Sequence, residues 1–501
     1  MINSDSIFKS YTDEATFSKI VDYGCVSEMW AHSVATYPDN VAIVDGREVT
    51  FRQLNEEVAA LRGVLADKGI KSGDNVGIYC PNSLAFVKAY LAAATLGACA
   101  VLMPPHLDMP TVFGCTMKFA LNAIVYDESL SGNLTLTKER NPKVALIEAS
   151  ETSETKTEIT YPAPTAPCAI LFTGGTTGKS KGALLSQQAV MRGVKNGCYG
   201  IKNIFEQRYF LVLPLTHVFG FIRNLLSSLY TGSALYICRN TKNMFREIPV
   251  FRPTTLVLVP ALAEMALNLS KQFGKNMLGA DVKTIICGAA TVAPYLAKEY
   301  DKLGITLLPG YGLTESANLV SGNPDPLKLD SRAVGYIYPD MEYKIVDGEL
   351  WLKGINMLDC YVGEPEENAN AFEDGWFKTG DLVKIENGLL FITGRKKEII
   401  VLSSGENISP AEIENKFYAI DAIQDCLVYD SEDSLVLEVL PRMAVLKALG
   451  VENIPEYLTE KIQAVNATLL PFEKINKIII RDTDFIRSAA MKIVRGQNAK
   501  K

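Results

Sequence analysis

Five short runs constrain the fold of this chain more than any other feature. They are "NVGIYC" (75–80), "CAILFT" (168–173), "YFLVLP" (209–214), "TTLVLVP" (254–260) and "VKTIIC" (282–287). None alternates apolar with polar residues, so a strand built from any of them needs cover on both faces. Helix-like periods lie between them, as in "LNEEVAALRGVLADKGI" (54–70). Buried strands alternating with helices predict α/β layers around largely parallel sheets. The stretch "FVKAYLAAATLGACAVLMP" (86–104) reads as a buried helix, a stop at Gly97 and a strand. Its apolar part, Ala89 to Met103, is too short to span a bilayer, so no transmembrane segment is expected.

A length of 501 residues predicts more than one domain. Ser129 to Pro167 is rich in Thr, Ser, Glu and Lys and reads as a surface connection, with one strand at "KVALIEA" (143–149). From Asp340 onward shorter strands carry Asp-Gly and Asn-Gly hairpin signals, as in "YKIVDGELWLKG" and "LVKIENGLLFITG". A last α+β portion begins after Gly394. The expected architecture is a large N-terminal domain of α/β layers with a β-rich subdomain (1–394), then a small, mobile α+β domain (395–501).

Charge and cysteine usage narrow the function classes. A net charge of −7 gives no electrostatic reason to expect nucleic acid. Ten cysteines occur without a CxxC pair, and the N-terminus lacks a secretory apolar stretch; a reducing, cytoplasmic location is expected. His32, His106 and His217 are the only histidines and lie far apart, which argues against a histidine-rich metal site. Oligomeric state is not legible.

"FTGGTTGKSKGALLS" (172–186) has the composition of a phosphate-binding loop. Small residues let backbone N–H groups converge on phosphate oxygens, and Thr hydroxyls and Lys add donors and charge. Gly178, Lys179 and Ser180 match the end of a Walker loop, but Thr173 stands where its first glycine belongs. A P-loop phosphotransferase is therefore the weakest reading of this loop.

Four further stretches follow in order: "LPLTHVFGF" (213–221), "LPGYGLTESA" (308–317), "WFKTGDLVKI" (376–385) and "ITGRKKEIIVLSSGENISPAEIE" (392–414). Together with the loop, they resemble the adenylate-forming superfamily, which includes acyl-CoA synthetases. The resemblance runs from about residue 50 to Lys492. It implies ATP-dependent activation of a small-molecule carboxylic acid to an acyl-adenylate with release of pyrophosphate. Transfer to the thiol of CoA, with release of AMP, follows. Fatty acid metabolism is one expected setting. A separate carrier protein as acceptor, or a nucleotide- or acyl-binding homologue without ligase activity, stays open.

The resemblance also implies roles for individual residues. Thr173, Gly174, Gly175, Thr176, Thr177 and Lys181 hold the β- and γ-phosphates of ATP, Thr314 touches the α-phosphate, and Glu315 binds Mg²⁺. Tyr311 stacks on adenine beside Gly312, and Gly288, Ala289 and Ala290 line its edge. Asp381 accepts the ribose hydroxyls and Arg395 reaches the sugar. Lys492 is the expected catalytic cation: an ammonium between carboxylate and α-phosphate offsets their repulsion. Lys397 is the hinge, and Gly405 borders the thiol tunnel. His217, Phe219, Gly220, Arg223 and Gly310 form the acyl pocket, His217 also being placed among the catalytic groups. An aspartate that would hold an amino group is absent after "LPL", which favours acyl and aryl acids over amino acids. Arg223 stands on an otherwise apolar helix, either snorkelling or pairing with an acid, or else meeting a second carboxylate or another polar group on the substrate. Met491, Pro309, Gln187 and Cys360 depart from the family pattern.

Overall fold

The structure is a computed structural model. It describes residues 4–173, 181–402, 406–431, 434–487 and 493–499, and the side chains of Ser4, Asp5 and Asn407 are outside it. Gly174 to Ser180, Gly405, Met491 and Lys492 thus lie outside the described residues.

Each of the five apolar runs forms a strand. Thr306–Tyr311, Thr284–Cys287, Thr255–Leu258, Arg208–Leu211, Ala234–Ile237 and Val41–Val44 are successive parallel neighbours in a nine-stranded sheet. A seven-stranded sheet holds Pro167–Thr173, Cys99–Leu102, Asn75–Tyr79, Ala123–Tyr126 and Ala145–Glu148 in parallel. Helices cover the sheets and form one continuous core with them. Trp30, Phe86, Tyr90, Phe210 and Phe221 are fully buried there. Removing such side chains from water is worth about 1.5–3 kcal/mol each.

Local chemistry explains the element ends. The helix Phe51–Asp67 starts in a capping box, in which Thr50 and Gln53 satisfy each other's backbone N–H. The helix Leu84–Leu96 is capped by the Ser83 hydroxyl. It stops at Gly97, whose φ of 83° suits a residue without a Cβ.

The hairpin signals also hold. Asp347–Gly348 and Asn387–Gly388 have positive φ at both residues, as a tight hairpin turn requires. They join the strands Glu342–Val346, Glu349–Lys353, Trp376–Glu386 and Leu389–Arg395 of a five-stranded antiparallel sheet. The connection after Ser129 differs from expectation. Its strand forms at Ala145–Glu148, but Glu128–Leu134 and Thr135–Arg140 are helical, because the Asp127 carboxylate caps the Ser129 N–H and starts the turn.

The C-terminal part has its own core. Ile423–Ser431 and Ser434–Pro441 pair antiparallel, and Lys477–Ile480 adds in parallel. Pro410–Phe417 and Ile454–Asn466 bury Phe417, Leu458 and Ile462 in a cluster separate from the large core.

Candidate active site

The phosphate-loop candidate is bracketed by Pro167–Thr173 and Lys181–Ser186, which pair antiparallel with Thr173 opposite Lys181. A Walker loop runs from a strand into a helix; here a strand follows, which removes the phosphotransferase reading on geometry.

Parallel strands of the nine-stranded sheet direct their carboxyl ends at one cleft, of about 330 Å³. In open α/β sheets, ligands bind at that edge. Ala289 and Ala290 follow Cys287 at one strand end, with Gly288 between. Tyr311 and Gly312 sit at the end of the next strand. Asp381 and Arg395 come from the β-rich sheet, and the opposite wall carries Glu414, Asp425, Arg487 and Arg495.

Asp381 is the anchor of this cleft. It is 1% exposed. The Tyr311 hydroxyl donates to its Oδ2 at 2.5 Å, and Arg395 Nε donates to its Oδ1 at 2.8 Å. Burial, then the Asp381 charge, holds the Tyr311 phenol well above its ordinary pKa, so it stays a donor. Asp381 in turn raises the Arg395 guanidinium. A carboxylate has two acceptor oxygens, the chemistry a vicinal diol requires.

A second cluster flanks the loop. Thr314 and Glu315 lie on the short turn Thr314–Ser316, packed against both loop-bracketing strands. The Tyr361 hydroxyl donates to Glu315 Oε1 at 2.7 Å. The Lys181 ammonium lies 5.1 Å from the centre of the Tyr361 ring and pairs with Glu367 at 2.5 Å. Burial, then the Glu315 charge, raises the Tyr361 phenol far above physiological pH. One tyrosine therefore links the expected metal carboxylate to the expected phosphate lysine. Tyr361 and Glu367 were missed in the sequence. Tyr361 is brought in by a two-residue strand pairing with Lys181–Ser186, and no local pattern announces that.

Of the expected acyl-pocket residues, Phe219 and Gly310 both approach Gly288, and Arg223 shares a cavity with Gly310. Asn82 grips the backbone of Leu213 and Leu215 and sets the path of "LPLTH". His217 is half-buried, and its Nδ1 accepts the Phe219 N–H at 3.3 Å, leaving the proton of the neutral ring on Nε2. At Gly220 a Cβ would fall 2.3 Å from the Pro214 oxygen, so only glycine fits. A Cβ on Gly288 would lie 3.0 Å from the Gly310 oxygen and 3.5 Å from the Phe219 ring. Arg223 and Gly310 line one smaller cavity. Lys397 is exposed on the turn Lys396–Glu398, between the β-rich sheet and the C-terminal part.

Comparison with known proteins identifies the family. The AMP-binding enzyme family model matches residues 30–362, and the AMP-binding enzyme C-terminal domain model matches 397–501. The chain belongs to the AMP-binding enzyme family. It is 27% identical over 479 residues to the medium-chain fatty-acid–CoA ligase of Escherichia coli (strain K12), which spans 87% of this chain and 84% of that protein. The solved anthranilate CoA ligase AuaEII, in complex with anthranoyl-AMP, superposes with a TM-score of 0.82. It covers 95% of this chain and 96% of its own, at 20% identity. The o-succinylbenzoate CoA synthetase of Bacillus subtilis, with its acyl-adenylate, gives a TM-score of 0.76 at 23% identity, covering 94% and 98%.

Proposed function

We propose that this chain is an AMP-forming acid–CoA ligase. The observation that carries the reading is the pairing of the buried Asp381, gripped by Tyr311 and Arg395, with the Glu315–Tyr361–Lys181 cluster beside the loop. The first holds a nucleoside and the second meets its phosphates. A carboxylate oxygen of the acid attacks the α-phosphorus of ATP, and the bond to pyrophosphate breaks. The CoA thiolate then attacks the acyl carbon, and AMP leaves with the electron pair.

Thr173, Lys181 and the glycine-threonine loop bind the phosphates, and Thr314 orients the α-phosphate. Lys492 screens the two anions as they close. Glu315 fits Mg²⁺: that ion commonly takes one or two carboxylates, phosphate oxygens and water. When bound, it neutralises phosphate charge. Tyr361 holds Glu315 in place by donating to one of its oxygens. Residues 1–394 and 395–501 are the two working domains, with Lys397 as the hinge and Gly405 beside the thiol channel. The C-terminal domain exchanges Lys492 for the thiol face between half-reactions. The ten free cysteines suit a reducing compartment, the cytoplasm. Among the described residues, no helix is long and apolar enough to cross a membrane.

The test is AMP formation with CoA across a panel of acids, alongside pyrophosphate release without it. Turnover with CoA and no added protein supports CoA as acceptor over a carrier protein. Lys492→Ala should slow adenylation about 100-fold or more while leaving thioester formation from preformed acyl-adenylate near its original rate. Unchanged adenylation in that variant refutes the role of Lys492. ATP binding without pyrophosphate release for any acid refutes the ligase reading.

A further inference from the structure

Among the described residues of the acyl region, Arg223 is a buried cation that no carboxylate answers. It lies in Phe219–Leu226, a helix with wide, five-residue turns, and is 1% exposed. Neither Nη1 nor Nη2 has a hydrogen-bond partner. The groups that feel its charge are Tyr209, Tyr338 and Cys198. Burial raises all three above their ordinary pKa, the Cys198 thiol to about 12, so none is an anion. The neutral Tyr209 hydroxyl lies against the guanidinium and supplies no counter-charge.

A guanidinium keeps its charge and presents five donors in a fork. Buried arginines are otherwise paired, because an unanswered charge in a low dielectric is strongly unfavourable. Here the same protein pairs its buried Arg442 with Glu264 at 2.6 Å. Space is also made for Arg223: a Cβ at Gly197 would fall 3.3 Å from its Cδ, so glycine lets the stem pass.

Arg223 lines a small cavity of about 30 Å³ with Tyr199, Pro309, Gly310, Asn323 and Tyr338. Gly310 also lines the nucleotide cleft, so the cavity adjoins the place where an acyl-adenylate would form. Arg223 and Gly310 thus share one wall, and a polar group on the acid that reaches this cavity meets the guanidinium.

We propose that Arg223 reads a second carboxylate on the acid, so that the enzyme activates dicarboxylic acids at one end. This inference rests on the ligase reading and names its substrate class. A carboxylate matches the guanidinium fork with two parallel hydrogen bonds and supplies the missing counter-charge. The role is specificity and positioning at a site remote from the bond that forms.

The experiment compares acids matched in length that differ only in a terminal carboxylate: hexanoate with adipate, octanoate with suberate, 3-phenylpropionate with 3-(4-carboxyphenyl)propionate. The readout is pyrophosphate release by the full-length protein. The wild type should favour the diacid in at least one pair by about 10-fold or more in kcat/KM. Arg223→Met should shift that ratio about 100-fold toward the monoacid, mostly through KM for the acid, with KM for ATP unchanged. Arg223→Lys should restore part of the preference. The melting temperature of Arg223→Met without acid should rise, because an unpaired buried charge has been replaced by an apolar chain of similar length. A wild type that prefers the monoacid in every pair overturns the proposal without any variant. So does an Arg223→Met enzyme whose ratio is unchanged or whose melting temperature falls steeply, which marks Arg223 as structural. Silence with all acids overturns the ligase reading and this inference with it, whereas brisk monoacid turnover leaves the ligase reading standing.

Discussion

At the scale of single residues, the site depends on a few carboxylates whose partners fix their orientation. Asp381 has donors on both oxygens and is buried. Asp381→Ala removes the proposed diol acceptor and strips Tyr311 and Arg395 of their common partner. Two charge-assisted hydrogen bonds at about 1.5–3 kcal/mol each predict a rise in KM for ATP on the order of 100-fold, read from initial rates at saturating acid. Tyr361→Phe keeps the ring under Lys181 but removes the hydrogen bond to Glu315. It should lower turnover about 5- to 10-fold at limiting Mg²⁺, with most of the loss recovered at excess Mg²⁺. A Mg²⁺ titration of both proteins checks this, and equal Mg²⁺ dependence would count against the link. The carboxylates and Tyr311 were legible in their motifs. Tyr361 was not, because its hydroxyl meets Glu315 from 46 residues away in sequence.

At the scale of elements, the site sits where strands end and helices begin to cover them. Strand content was legible because runs without polar alternation admit few other folds. The helical turns over Glu128–Arg140 were not, since that stretch is polar and its start rests on a single side-chain cap. The helix Pro260–Phe273 carries a further constraint. Its Glu264 accepts from Arg442 Nη2 at 2.6 Å, the Tyr295 hydroxyl also donates to it, and the Arg442 guanidinium stacks 4.0 Å from the Tyr295 ring centre. Burial pushes the Glu264 carboxyl up, and Arg442 draws it back. This contact ties the large core to the C-terminal part. Arg442→Ala leaves Glu264 buried without its cation and should weaken docking by about 3 kcal/mol. Faster hydrogen exchange in Pro410–Phe417 and faster proteolysis near Lys396–Glu398 are the expected signs; unchanged protection would show that the pair contributes little.

At the scale of the whole molecule, the large core and the separate C-terminal cluster predict two cooperative units. Scanning calorimetry should resolve two transitions, and an inert acyl-adenylate analogue should move them together, because the cleft draws a wall from each unit. A single transition that no ligand splits or shifts would argue against independent domains. The sequence by itself determined the strand-and-helix alternation, the hairpins and the order of the motifs. These follow from local periodicity and turn chemistry, which act over a few residues. Only the tertiary structure decided which charges are answered: Glu264 by Arg442, 178 residues on, Glu315 by a tyrosine, and Arg223 by no carboxylate among the described residues. Whether a buried charge has a partner depends on which distant surfaces the packed layers bring within about 3 Å, and no local pattern carries that information.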